Sequence, residues 1–164
     1  MVTVLMGVAG AGKTSVGKLL ASQLGWKFAD GDDYHPAENV EKMRNGIPLT
    51  DADRAPWLEI LRSLVGGWIA ERESAVLACS ALKGAYRERL HVSPEVRVVY
   101  LKGSVALLRR RMRARQGHFM REEMLQSQLA SLEEPEDALV VDVDRSPEEI
   151  VAEIRRKLSL TEGP

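Results

Sequence analysis

Short apolar runs alternate along the chain with longer segments in which hydrophobic residues recur at helical spacing. Val2–Met6 is apolar and is followed at once by glycines, which is typical of a buried strand. Over Lys13–Leu24 apolar residues recur every three or four positions and Gly25 follows, which predicts a helix that ends there. The same alternation predicts further strands over 27–29, 75–79, 96–101 and 138–142, and further helices over 83–92, 104–114 and 147–158.

Strands that alternate with helices favour a parallel sheet covered by helices on both faces. The chain has 164 residues, the length of one domain, and no repeat or linker divides it. We therefore expect one α/β domain of three layers around a five-stranded parallel sheet. Two segments interrupt the alternation, a largely helical one over about 34–72 and another over about 115–135. Insertions at the strand ends of such sheets usually hold substrates.

Composition excludes several classes of protein. The 23 basic and 24 acidic side chains leave a net charge of −1, which gives no general attraction to nucleic acid or anionic lipid. Uncharged stretches are too short for a membrane span, and the lone Cys79 cannot form an intrachain disulfide, so we expect a cytoplasmic protein. Local charge is less even, because residues 102–121 carry seven basic side chains and no acid.

The strongest chemical signal is a match to G-x-x-x-x-G-K-[ST] at every fixed position. Glycines allow backbone N–H groups to turn around phosphates, Lys13 reaches the β- and γ-phosphates, and the Thr14 hydroxyl ligates Mg²⁺. A strand precedes the motif and a helix follows it, as a phosphate loop requires. The predicted ATP-binding residues are Gly7, Val8, Ala9, Gly10, Ala11, Gly12, Lys13 and Thr14.

A phosphate loop does not by itself say which molecule receives the phosphate. The chain has no N-K-x-D tetrapeptide that would read guanine, and the third predicted strand ends in Cys79-Ser80 where an ATPase would carry an acid. We therefore favour a small-molecule kinase over a nucleotide switch or motor. A non-catalytic domain that binds a nucleoside triphosphate remains the alternative from another class.

An acidic turn, Asp30-Gly31-Asp32-Asp33, closes the second predicted strand. One carboxylate there could orient or deprotonate an attacking hydroxyl, and another could hold Mg²⁺ through water. A solvated acidic turn would have the same sequence. Further along, Arg54 and Lys42 could clamp an anionic substrate, whereas Asp51 and Asp53 could simply cap a helix that begins at Pro56 and Trp57.

Basic residues recur at helical spacing in two later segments. Lys83 and Arg87 are one turn apart, either at the site or on an exposed helix surface. Arg111 and Arg115 are also four residues apart, so both could close over a bound phosphate and stabilise charge during transfer.

The chain resembles the bacterial gluconate kinase (gluconokinase) family from the phosphate loop to about residue 144. The segments that carry the resemblance are GVAGAGKT, DGDDYHPAENVEKMRNGIPLTDADRAPWL, CSALKGAYRERL, YLKG, RMRARQGHFM and LEEP. The resemblance implies ATP- and Mg²⁺-dependent phosphorylation of the 6-hydroxyl of D-gluconate. It also implies a fold similar to nucleoside-monophosphate and shikimate kinases, a mobile lid over about 111–135, and a homodimer.

The resemblance also implies roles for individual residues. Asp32 would position the substrate hydroxyl or accept its proton, and Asp30 would support Mg²⁺ through water. Arg111 and Arg115 match the arginines of the family's lid. The residues implied to bind gluconate are Arg54, Lys83 and Arg87, with Ser80 and His35 nearby. A kinase for shikimate or another small hydroxy acid is the alternative, although Cys79-Ser80-Ala81 stands where shikimate kinases are glycine-rich.

Overall fold

The computed structural model describes residues 1–114 and 118–162, with side chains for all of these except residues 118–121. A five-stranded parallel sheet forms its centre and confirms the predicted architecture. Its strands lie in the spatial order β2-β3-β1-β4-β5. Their bounds are β1 Val2–Met6, β2 Lys27–Asp30, β3 Ala75–Ala78, β4 Val96–Lys102 and β5 Leu139–Asp142.

Helices cover both faces of this sheet. Alternate residues of β1 point to opposite faces, so Leu5 packs in one apolar core with Val16 and Val151, whereas Val4 packs in the other with Leu61. The helices are α1 Lys13–Leu24, α2 Ala37–Arg44, α3 Asp51–Ala70, α4 Gly84–Leu90, α5 Val105–Arg113, α6 His118–Ser131 and α7 Pro147–Leu158. A short 3₁₀ turn, Gly31–Tyr34, follows β2.

The start of α3 differs from the prediction. Thr50 caps this helix, its hydroxyl accepting from the Asp53 amide at 3.1 Å while the Asp53 carboxylate accepts from the Thr50 amide at 2.9 Å. This reciprocal capping box begins the helix at Asp51, and Pro56 lies inside it. Placing the start at Pro56 was wrong because proline's preference for the first turn is weaker evidence than a complete cap.

Helix α6 lies within the second insertion, and α5 ends at Arg113 before it. The lid predicted over about 111–135 therefore begins inside α5, and its identity as a lid stays a prediction. No helix among residues 1–114 and 118–162 is long and apolar enough to cross a membrane.

Candidate active site

The phosphate loop connects β1 to α1 in a conformation that depends on its glycines. Gly10 and Gly12 have φ angles of 85° and 90°, in the left-handed region that side chains disfavour. At Gly7, a Cβ atom would come within 2.9 Å of the Leu101 carbonyl oxygen. Because α1 begins at Lys13, its positive N-terminal end adds to the loop amides. The loop therefore fits a bound phosphate chain.

The Lys13 side chain lies across this loop. Its Nζ atom donates hydrogen bonds to the carbonyl oxygens of Gly7 at 2.9 Å and Val8 at 3.1 Å. These contacts keep the ammonium beside the backbone that the motif assigns to the phosphates.

The two residues predicted to serve Mg²⁺ lie in contact. The Thr14 hydroxyl donates to Oδ2 of Asp30 at 2.7 Å, although Asp30 ends another strand. Among the residues that the structure describes, no group of three or more His, Cys, Asp or Glu side chains could hold a metal. Mg²⁺ is usually bound by one or two protein oxygens together with phosphates and water, so Thr14 and Asp30 fit this cation.

A cavity of about 540 Å³ lies where β2 and β3 end, and Asp32 and Ser80, each two residues beyond its strand, line it. Both insertions contribute to its wall, the first through residues 43–49 and the second through residues of α6. The predicted substrate residues that line it are Asp32, His35, Arg54 and Ser80. The structure thus places four of the six predicted substrate residues around one cavity.

The Asp32 side chain is exposed to solvent, yet its pKa is raised. Water reaches its side chain at the mouth of the cavity. The pKa of its carboxyl is nevertheless raised, chiefly because surrounding protein displaces solvent and then because Asp30 is negatively charged, whereas Lys13 opposes the shift. A raised pKa brings a carboxylate closer to the range in which it exchanges protons efficiently.

His35 is held as a neutral ring. Its imidazole stacks on the Trp57 indole with centroids 4.4 Å apart, and burial together with the Arg54 charge lowers its pKa to about 4. The buried Asn39 amide bridges the Asp53 carbonyl oxygen at 2.9 Å and Nδ1 of His35 at 3.3 Å. With Asn39 as donor, the neutral ring carries its proton on Nε2, where it can bind a hydroxyl.

Arg54 rests on the ring of Tyr86. Its guanidinium carbon lies 5.7 Å from the ring centroid, and Nη1 donates to the Tyr86 hydroxyl at 3.3 Å. The same hydroxyl donates to Asp51, which also accepts from Lys83 Nζ at 2.9 Å. Lys83 does not line the cavity, and it pairs with Asp51 at the start of α3 instead.

Arg87 also lies away from the cavity. It donates to the carbonyl oxygens of Ala81 at 2.8 Å, Leu82 at 3.1 Å and Glu133 at 2.8 Å. Ala81 has a φ of 45°, so the turn after β3 is strained and the guanidinium stabilises it. The contacts of Lys83 and Arg87 favour structural roles, and their predicted contact with substrate stays a prediction.

Arg111 reaches the phosphate loop from α5. Its guanidinium donates to the Gly10 carbonyl oxygen at 3.2 Å and to that of Val143 at 2.5 Å. A cation is therefore positioned at the loop, and its role in the transfer of a phosphoryl group stays a prediction. Arg115, its predicted companion, lies outside the described residues.

Tyr86 and Gln128 are among the residues at the site that had no role predicted from the sequence. Tyr86 lies within CSALKGAYRERL, a segment that carries the family resemblance, so the motif contained a signal for it. Gln128, which lines the cavity, lies in none of the motifs that were recognised. Its Oε1 atom accepts a 2.6 Å hydrogen bond from the Ala9 amide, a contact across 119 residues that local pattern does not reveal.

Comparison with known proteins identifies the family. The Shikimate kinase family model matches residues 9–159. The chain is 44% identical to a probable gluconokinase of Xenopus tropicalis, covering 99% of this chain and 98% of that protein. It is 45% identical to the gluconokinase of Gluconobacter oxydans, with coverages of 93% and 88%.

A solved structure extends this similarity to three dimensions. The gluconokinase from Sinorhizobium meliloti superposes with a TM-score of 0.81 at 43% identity, covering 96% of this chain and 94% of that one. Identity at this level over nearly the whole of each relative is far more than a phosphate loop alone would produce. The chain belongs to the gluconokinase family of P-loop kinases.

Proposed function

We propose that this protein transfers the γ-phosphoryl group of ATP to the 6-hydroxyl of D-gluconate, giving 6-phospho-D-gluconate and ADP. The observation that carries the proposal is a cavity lined by both Asp32 and Arg54. Gln128, which also lines it, connects the cavity to the phosphate loop through the Ala9 amide. Gluconate has one carboxylate and a chain of hydroxyls. It therefore needs a cation, several hydrogen-bonding groups and a base. Arg54, His35, Ser80 and Asp32 supply these groups among the residues that line the cavity.

On the nucleotide side, the loop amides and Lys13 bind the phosphates, and Arg111 adds positive charge beside Gly10. Mg²⁺ held by Thr14 and, through water, by Asp30 would neutralise charge on the phosphate oxygens when bound. Most of the catalytic effect then comes from positioning and from charge stabilisation, as in other phosphoryl transfers.

On the acceptor side, Asp32 receives the proton of the attacking hydroxyl. The hydroxyl oxygen bonds to the γ-phosphorus, the bond from that phosphorus to the bridging oxygen breaks, and ADP leaves with the electron pair. The raised pKa of Asp32 suits this task, because a very weak base would accept the proton poorly.

Arg54 would bind the gluconate carboxylate, since a guanidinium pairs with a carboxylate through two parallel hydrogen bonds. His35 and Ser80, which line the same cavity, would bind hydroxyls. Lys83 and Arg87 would act by shaping this site, the first through Asp51 and the second through the Ala81 turn.

A kinase for shikimate is the second candidate, because the family model that matches the chain is that of shikimate kinase. Shikimate is also a hydroxy acid with one carboxylate, so Asp32 and Arg54 would suit it. The sequence after β3 is evidence against shikimate, since Cys79-Ser80-Ala81 stands where shikimate kinases are glycine-rich.

A coupled assay of ADP release separates these candidates. D-gluconate, shikimate, glycerate and nucleoside monophosphates are compared with the same enzyme preparation, and we expect the highest kcat/KM with D-gluconate. A higher value with another acceptor would overturn the substrate assignment. Release of ADP that depends on no acceptor would overturn the kinase assignment, and Lys13→Ala serves as the inactive control.

A further inference from the structure

Gln128 is the residue of α6 that connects the two halves of the site. Its side-chain oxygen accepts a 2.6 Å hydrogen bond from the Ala9 amide of the phosphate loop. The same side chain lines the cavity together with Asp32 and Ser80. It therefore lies between the nucleotide side and the acceptor side.

The contact with Ala9 fixes which end of the Gln128 amide faces the loop. A backbone N–H can only donate, so Oε1 points to Ala9 and the Nε2 amino group points away from it. Among residues 1–114 and 122–162, whose side chains the structure describes, Nε2 makes no hydrogen bond to the protein. Because Gln128 is half-buried, this amino group is a donor suited to a ligand at the cavity.

Gln128 thus contacts the loop that binds the phosphates and lines the cavity that holds Asp32. We propose that Nε2 of Gln128 donates a hydrogen bond to the phosphoryl group during its transfer, an inference that rests on the proposed function. The Ala9 contact holds the amide in place beforehand, so little reorganisation is needed when charge develops on the phosphoryl oxygens. Gln128 would thus be a further catalytic residue.

Two substitutions separate the effect of losing the Nε2 donor from the effect of losing the Oε1 acceptor. Gln128→Glu keeps an oxygen for the Ala9 amide but removes the donor, whereas Gln128→Met removes both. Removing one donor to a developing oxyanion lowers kcat on the order of 10²-fold, so we expect that loss in both variants. The Michaelis constants for ATP and acceptor should change by less than about threefold, because the hydrogen bond forms mainly during transfer. Gln126→Glu is the control, since Gln126 is an exposed glutamine on the same helix.

Each other outcome contradicts the proposal. Activity retained by Gln128→Glu but lost by Gln128→Met would mean that Gln128 only supports Ala9. Loss in the Glu variant alone would mean that the added charge, and not the missing donor, is responsible. Retention in both, or an equal loss in Gln126→Glu, would also overturn it. Thermal unfolding of each variant establishes that it is folded.

Binding supplies a readout independent of turnover. Calorimetry measures the affinity for ADP with Mg²⁺, with and without aluminium fluoride, which mimics the phosphoryl group in transfer. We expect both Gln128 variants to bind ADP like the wild type and to bind the aluminium fluoride complex more weakly. Unchanged affinity for that complex would overturn the proposal. Failure of the proposed function is recognised separately, because the wild type would then not use gluconate, and the variants would be compared with the acceptor it does use.

Discussion

The hydroxyl of Thr14 donates a 2.7 Å hydrogen bond to Oδ2 of Asp30, which joins the first turn of α1 to the end of β2. The other oxygen of that carboxylate accepts from the Asp32 amide at 3.0 Å. The Asp30 carboxylate thus contacts both Thr14, the candidate magnesium ligand, and Asp32, the candidate base.

Asp30→Asn should raise the Mg²⁺ requirement. The amide can still accept hydrogen bonds, but it loses the negative charge that attracts the hydrated cation. We expect the half-saturating Mg²⁺ concentration to rise by about an order of magnitude, with part of the activity restored at high Mg²⁺. Asp33→Asn, on the same turn, is the control at a pH where the wild type is fully active. An unchanged Mg²⁺ requirement in Asp30→Asn would contradict this role.

Asp32 should set the acid limit of activity. A base must be deprotonated to act, so kcat/KM falls as the pH drops through the raised pKa of Asp32. Asp33→Asn removes a negative charge that contributes to that shift, and the acid limb should therefore move to lower pH. A limb that stays in place or moves to higher pH would show that another group controls it.

Replacing the base itself gives the complementary result. Asp32→Asn should lower kcat by about 10²- to 10⁴-fold while ATP still binds, since general base catalysis contributes factors of that size. Turnover close to that of the wild type would remove Asp32 from this role.

His35 should make the fold less stable in acid. Its pKa is about 4 in the folded protein and 6.5 ordinarily, so the unfolded chain binds more protons between these values. The stability that the neutral ring contributes is therefore present above pH 6.5 and is lost as the pH falls towards about 4. His35→Phe keeps a ring against Trp57 but cannot titrate. As the pH drops through this window, the Tm of the wild type should fall relative to that of this variant. A constant difference between the two Tm values would be inconsistent with a buried neutral imidazole.

Tyr86→Phe should weaken acceptor binding. The ring remains under Arg54, but the guanidinium loses its 3.3 Å hydrogen bond and Asp51 loses a donor. We expect the KM for gluconate to rise by about tenfold with little change in the KM for ATP, because hydrogen bonds to charged groups contribute about 1.5–3 kcal/mol. Tyr100→Phe is the matched control, since Tyr100 is also buried and its hydroxyl bonds Glu134. Equal effects of both substitutions would argue against a specific role.

The sheet and the phosphate loop could be predicted because their determinants are local. Five apolar runs, each followed by a helical pattern, are enough to define a parallel α/β sheet. Asp30 and Asp32 could be placed at the site because the first ends a strand and the second lies just after it, and strand ends meet at one edge of such a sheet.

The sequence could not show which hydrogen-bond partners the side chains near the site have. Lys83 and Arg87 have the right charge and spacing for a substrate anion. In the structure, however, Lys83 donates to Asp51 and Arg87 donates to three backbone carbonyl oxygens. The contact of Gln128 with Ala9 depends on how α6 packs against the loop, and no periodicity encodes that packing.

Proton-coupled ³¹P NMR of the product shows which hydroxyl of gluconate receives the phosphoryl group. Gluconate, ATP and Mg²⁺ are incubated with the wild type, with Lys13→Ala as the inactive control. A phosphate ester on carbon 6 has two neighbouring protons, so we expect a new triplet that appears as the γ-phosphate signal of ATP disappears. A doublet, which marks an ester of a secondary hydroxyl, or the absence of any new ester signal would contradict it.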